Sequence, residues 1–107
     1  MILVLPEFKL ERNPNLRLYI AGFPGKALTK VGISTNIKRR LYKFKGARHL
    51  VSIKVPYPYD LEQELLLQLK NYNYSGEWLD MLDVDVADYA VSLLGNKRFA
   101  PYTLYWS

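Results

Sequence analysis

The sequence predicts an α+β domain. Two segments rich in strand formers are joined by a Pro-Gly turn, a third alternates well enough for another strand, and three further segments carry helix periodicity with caps. At 107 residues the chain can bury one apolar core, and residues 1–107 are read as a single domain.

Asn13-Pro14-Asn15 is a turn signal, and the residues before it read as an N-terminal arm or edge strand. Leu16 to Phe23 is the first strand candidate and Ala27 to Ile33 the second. The Phe23-Pro24-Gly25-Lys26 loop between them makes an antiparallel hairpin. Ser34, Thr35 and Asn36 are N-cap candidates for a helix from about Ile37 to Lys45, with Gly46 as its stop. Leu50 to Val55 is the third strand candidate. Pro56-Tyr57-Pro58-Tyr59 breaks it, and Asp60 caps a second helix from about Leu61 to Tyr72. Asn73 to Ser75 read as a loop into Gly76-Glu77-Trp78, with Trp78 as a core anchor and Glu77 as a partner for a basic residue. A third helix runs from about Val84 to Leu94, between Asp83 and Gly95. The tail holds Phe99, Tyr102, Tyr105 and Trp106, suited to covering the sheet or contacting another protein.

Composition narrows the chemistry. Half the residues are apolar and 23% are charged, which is a globular balance. There is no cysteine, so disulfides, thiol nucleophiles and thiolate zinc sites are excluded. With one histidine, His49, any metal must be held mainly by carboxylates and water, which favours Mg²⁺ or Mn²⁺. The formal charge of +5 is polarised. Lys38, Arg39, Arg40, Lys43, Lys45 and Arg48 crowd one stretch, while Asp80 to Asp88 is acidic. Such a basic stretch attracts a phosphate backbone. Neither a signal peptide nor a run of about 20 apolar residues is visible, which predicts a cytoplasmic protein without a membrane partner.

Three residues stand out for chemistry. On a helical wheel Glu62 falls inside the arc of Leu61, Leu65, Leu66, Leu69 and Tyr72, about 20° from Leu69. A carboxylate there costs free energy unless it is paired, protonated or bound to a metal. Two readings stay open: a rim carboxylate paired to a basic residue, or a divalent-metal ligand. Arg40 sits about 40° from Phe44, at the edge of the Ile37/Leu41/Phe44 stripe. It either snorkels to water or presents its planar fork to a phosphate. Tyr19 is an ordinary strand tyrosine, or, beside a metal and cationic groups that lower its pKa, a proton acceptor for an attacking water. Lys30 and Ser34 flank Gly32, where a backbone or ligand can approach closely.

In order, these pieces read Tyr19-Ile20, Lys30-Val31-Gly32-Ile33-Ser34, Arg40-Leu41, Glu62-Gln63-Glu64-Leu65-Leu66 and Gly76-Glu77-Trp78-Leu79. That series resembles the GIY-YIG nuclease superfamily, and within it a short branch common in phage and prophage genomes. The resemblance covers about Leu16 to Asp80, leaving 81–107 as a C-terminal helix and aromatic tail. Arg17-Leu18 stands where the superfamily has Gly-Ile, Lys30 replaces its second tyrosine, and Leu66 stands where the short branch often has histidine. The resemblance implies a small three-stranded antiparallel sheet flanked by helices, and a DNA endonuclease using a single divalent ion. Glu62 would hold the ion, Tyr19 would deprotonate water, and Arg40 would grip the scissile phosphate. Lys30, Ser34, Lys38, Lys43 and His49 are the substrate-binding candidates. Two other functions stay open: a catalytically silent nucleic-acid-binding module of the same fold, and a phage-type protein-interaction or inhibitor domain using the aromatic tail. Oligomeric state is not legible in the sequence.

Overall fold

Six antiparallel strands form one sheet in the computed structural model, which describes residues 15–107. The expected N-terminal arm lies outside the described residues. In chain order the elements are β1 (Arg17–Gly22), β2 (Thr29–Ser34), α1 (Ile37–Leu41), β3 (Arg48–Lys54), α2 (Pro58–Gln68), β4 (Asn73–Ser75), β5 (Trp78–Leu79), α3 (Asp83–Leu93) and β6 (Thr103–Trp106). Short 3₁₀ turns at Lys70–Tyr72 and Lys97–Phe99 follow α2 and α3. The sheet order is β4-β5-β2-β1-β3-β6.

The sheet therefore has six strands, which corrects the expected three. The three expected strands form its centre, and the added ones lie outside them. β4, β5 and β6 are only three, two and four residues long, too short for period-two alternation to show. The stretch read as a loop, 73–75, pairs with β5 across a turn in which Gly76 has φ +57. That left-handed value suits glycine. The aromatic tail is an edge strand on β3, with Ser52 opposite Tyr105 and Ile53 opposite Leu104.

Side chains alternate across the sheet, so paired residues share a face. Leu18 and Ile20 of β1, opposite Ile33 and Val31, share one face with Ile53 and Val51 of β3. Leu18, Ile20, Val31, Val51 and Ile53 form one core with Leu61 and Leu65 of α2 and Val86, Ala87 and Ala90 of α3. Each large apolar side chain fully buried there contributes about 1.5–3 kcal/mol. Arg17, Tyr19 and Ala21 share the other face with Ser34, Gly32 and Lys30. A bulge between Ile20 and Ala21 leaves Leu50 as an extra residue in β3. Alternation is broken there, so His49 pairs with Ala21 while Ser52 pairs with Tyr19.

Helix boundaries follow local chemistry. Asn36 caps α1, its side chain accepting from Arg39 N at 3.1 Å. α1 ends at Leu41 rather than Lys45, because the chain tightens into i→i+3 turns such as Phe44 N to Leu41 O, 2.9 Å. Pro58 opens α2, where its missing N–H costs nothing. Leu61, Glu62, Leu65 and Leu69 are buried, as the wheel requires. Tyr72 is 52% exposed, because the α-helix stops before it.

The central strands are tied to the start of α3 and the residues before it. Thr29 Oγ1 donates to Met81 O at 2.6 Å, and buried Asp83 pairs with Arg48 at 2.8 Å. Gly22 makes room for this, since a Cβ there would lie 2.6 Å from Asp83 Cβ and 2.9 Å from its Oδ2. Gly22→Ala is expected to destabilise the fold by about 1–3 kcal/mol, the range for overpacking. Urea unfolding measures it, and an unchanged midpoint would show that Asp83 yields without cost.

Candidate active site

Tyr19 sits directly opposite Gly32 in the β1–β2 ladder. A Cβ at residue 32 would lie 2.5 Å from the Tyr19 hydroxyl oxygen. The glycine thus lets the phenol lie across β2. Tyr19 is 1% exposed yet stands apart from the apolar core. Its hydroxyl belongs to a small cleft of about 130 Å³ lined by Tyr19, Ile33, Arg40, Tyr59, Glu62 and Glu77.

The cleft brings together the three residues expected to carry chemistry. β1 supplies Tyr19, the exposed helix α1 supplies Arg40, and α2 supplies Glu62. Sequence reasoning missed Tyr59 and Glu77 as members of this cleft. In the sequence Tyr59 is one of four tyrosines, with Tyr57, Tyr72 and Tyr74, that suit base stacking or core and rim packing, and nothing there singles it out for the cleft. Glu77 did have a signal, its place in Gly-Glu-Trp, but the β4–β5 turn that delivers it was read as a loop. Glu77 is held there by Val31 N, which donates to its carbonyl at 2.9 Å.

Charge in the cleft is tightly set. Lys30 Nζ pairs with Glu77 Oε1 at 2.9 Å and lies 5.5 Å from the Trp78 ring centroid and 5.9 Å from that of Phe44. Trp78 is half-buried and anchors an aromatic cluster with Phe23 and Phe44, rather than standing in the main core. Glu62 is 5% exposed, and its buried Oε2 has no hydrogen-bond partner among the described residues. Burial raises its pKa from 4.5 to about 7; the neighbouring Glu77 carboxylate adds to the rise, while Gln63 and Lys30 oppose it. Burial likewise pushes the Tyr19 phenol up to about 12, against the pull of Arg40 and with Glu77 and Glu62 adding to the rise. The lowered phenol pKa expected beside cations is therefore not what Arg40 alone produces.

A buried carboxylate oxygen without a hydrogen-bond partner among the described residues is of the kind that suits a hard cation. No group of three or more metal-type side chains occurs among the described residues. Two carboxylates, Glu62 and Glu77, line the cleft. A donor set of one or two carboxylates with the remainder water is the coordination Mg²⁺ favours.

The substrate-binding candidates are spread more widely. Lys30 borders the cleft through its ion pair with Glu77. Ser34 and Lys43 line an adjoining cavity of about 340 Å³ with Thr35, Asn36, Arg39, Arg40 and Tyr42. Lys38 is exposed on α1. His49 lies apart from the cleft, with Nδ1 2.9 Å from Ser107 Oγ. Burial, aided by Arg17, lowers its pKa below 6.5 against a backbone hydrogen bond at Val51.

Residues 17–95 match the family model of the T5orf172 domain, a phage-associated domain of endonuclease context. No curated protein and no solved structure matches the chain significantly. No helix among the described residues is long and apolar enough to cross a membrane.

Metal-free protein should carry the signature of a carboxyl group that resists ionising. Glu62 has a folded pKa above its unfolded value, so its contribution to stability is complete below about pH 4.5 and lost as pH rises through about 7. Glu62→Gln removes that loss. In EDTA at about pH 8 it should stabilise the protein by on the order of 2 kcal/mol relative to wild type, with the gain vanishing near pH 4.5. Thermal melts across this range read the effect. A gain that does not depend on pH would contradict it.

Proposed function

The chain belongs to the T5orf172 domain family, and on that premise we propose that it is a metal-dependent DNA endonuclease of GIY-YIG type. The observation that carries this reading is the cleft that gathers Tyr19, Arg40 and Glu62, where the buried Glu62 Oε2 has no hydrogen-bond partner among the described residues. Glu62 would hold one divalent ion, Mg²⁺ or Mn²⁺, which when bound supplies charge stabilisation at the phosphate and leaving oxygen.

The remaining work falls to this chain's own side chains. Arg40 is exposed at the cleft mouth, where its guanidinium binds a phosphate and offsets charge developing on it. Tyr19, buried at the cleft, would act as a base only as the phenolate, taking a proton from water at the oxygen that has first lost its own. Its raised pKa means that it holds its proton until further positive charge enters the cleft. Of the two cleft carboxylates, Glu77 is paired to Lys30, and Glu62 forms no ion pair among the described residues. Lys38, Arg39 and Lys43 on and after α1 extend positive charge outward, giving a phosphate backbone contacts that position it without reading sequence.

One observation favours the alternative of a silent nucleic-acid-binding module. A phenol held near 12 is a poor base at neutral pH. The test is incubation of plasmid and branched DNA with Mg²⁺, Mn²⁺ or EDTA. Metal-dependent cutting is expected, with Tyr19→Phe and Glu62→Gln each lowering the rate by roughly 10²-fold or more. Salt-sensitive binding without cutting under either metal would select the silent module instead.

A further inference from the structure

A larger cavity opens beside the cleft on the Tyr19 face of the sheet. It measures about 360 Å³, within the range that holds small ligands. Arg17, Ser34, His49, Ser52 and Tyr105 are among its lining residues, and among the described residues no acidic side chain lines it. Arg17 lies over the Tyr105 ring, its guanidinium carbon 3.9 Å from the centroid, and forms no ion pair among the described residues. Ser52 is 1% exposed, and its hydroxyl has no hydrogen-bond partner among the described residues. The same holds for His49 Nε2. Buried polar atoms cost about 1–3 kcal/mol each when left unpaired, so a bound molecule that reaches them is rewarded.

The cavity and the cleft are neighbours through a third, basic cavity that borders both. Ser34, Thr35 and Asn36 line both the larger cavity and the basic cavity of Arg39, Arg40 and Lys43, and Arg40 lines the cleft itself. A strand whose phosphate sits at Arg40 is led across α1's N-terminal end toward Arg17.

We propose that this cavity is a subsite for one unpaired nucleotide of the nucleic-acid strand that passes through the cleft. A cation over an aromatic ring is a surface on which a nucleobase stacks, and base edges carry the donors and acceptors that Ser52 and His49 lack. A base inside a duplex enters such a pocket only after it is unstacked and unpaired, whereas a single-stranded base enters without that cost. The substrate class that follows is DNA with a single-stranded flap, branch or gap beside the cut site. This inference rests on the nuclease reading for its substrate, but binding tests it without cleavage.

Fluorescence anisotropy in EDTA, with a labelled blunt duplex and the same duplex bearing a single-stranded flap, reads the subsite. Wild type should prefer the flap. Tyr105→Ala and Arg17→Ala should each weaken flap binding by about tenfold, the loss of one stacked base, and leave duplex binding within twofold. Tyr105→Phe, which keeps the ring, should restore flap binding, and thermal melts confirm that each variant is folded. Equal loss on both DNAs, no loss on either, or no flap preference in wild type would overturn the subsite. Cutting of blunt duplex by a protein without flap preference would sink the subsite and leave the nuclease standing. Flap binding that needs Tyr105, with no cutting under Mg²⁺ or Mn²⁺, would do the reverse.

Discussion

Because Tyr19 lies opposite Gly32 in an antiparallel ladder, the phenol crosses β2 where any side chain would collide with it. That single register fixes the rest of this face. It puts Lys30 opposite Ala21, and β5 then sets Trp78 opposite Lys30. With Trp78 in place, the preceding Glu77 falls where Lys30 reaches it at 2.9 Å. A slip of one residue would turn Tyr19 into the apolar core and Leu18 out of it, so burial on the opposite face enforces the register. Core packing and cleft assembly are thus two consequences of the same pairing.

Glu62 works against that packing. Leu61 and Leu65 beside it are fully buried, and a leucine-sized apolar side chain at 62 would cost less than a carboxyl group that must ionise there. The neighbouring Glu77 makes ionisation harder still, and Lys30, paired to Glu77, offsets only part of the rise. A group arranged this way stores a preference for incoming positive charge. The same charge would lower the Tyr19 pKa, since Glu62 and Glu77 both help to raise it. A cation bound at the carboxylates would therefore also favour loss of the phenol proton.

What was legible in the sequence was what repeats or what is chemically odd. The central strands β1, β2 and β3 are six or seven residues long and carry their pattern openly. Glu62 stood out because a helical period places it among leucines, and it is buried as that period demands. The outer strands were illegible for want of length, and this made the sheet look half its true width. The bulge at Leu50 was equally hidden, since nothing local separates it from regular alternation, yet it moves His49. Arg40 and Tyr59 reach the cleft through tertiary placement, and no periodicity reports that.

The proposal most open to direct test is that the buried Glu62 carboxylate holds a divalent cation. The most direct measurement is an anomalous difference map from crystals grown with Mn²⁺, collected at the manganese edge. The account expects a single strong peak in the cleft, within coordination distance of Glu62 and completed largely by water. A cleft without anomalous density at saturating Mn²⁺, with Glu62 still buried and protonated, would contradict it.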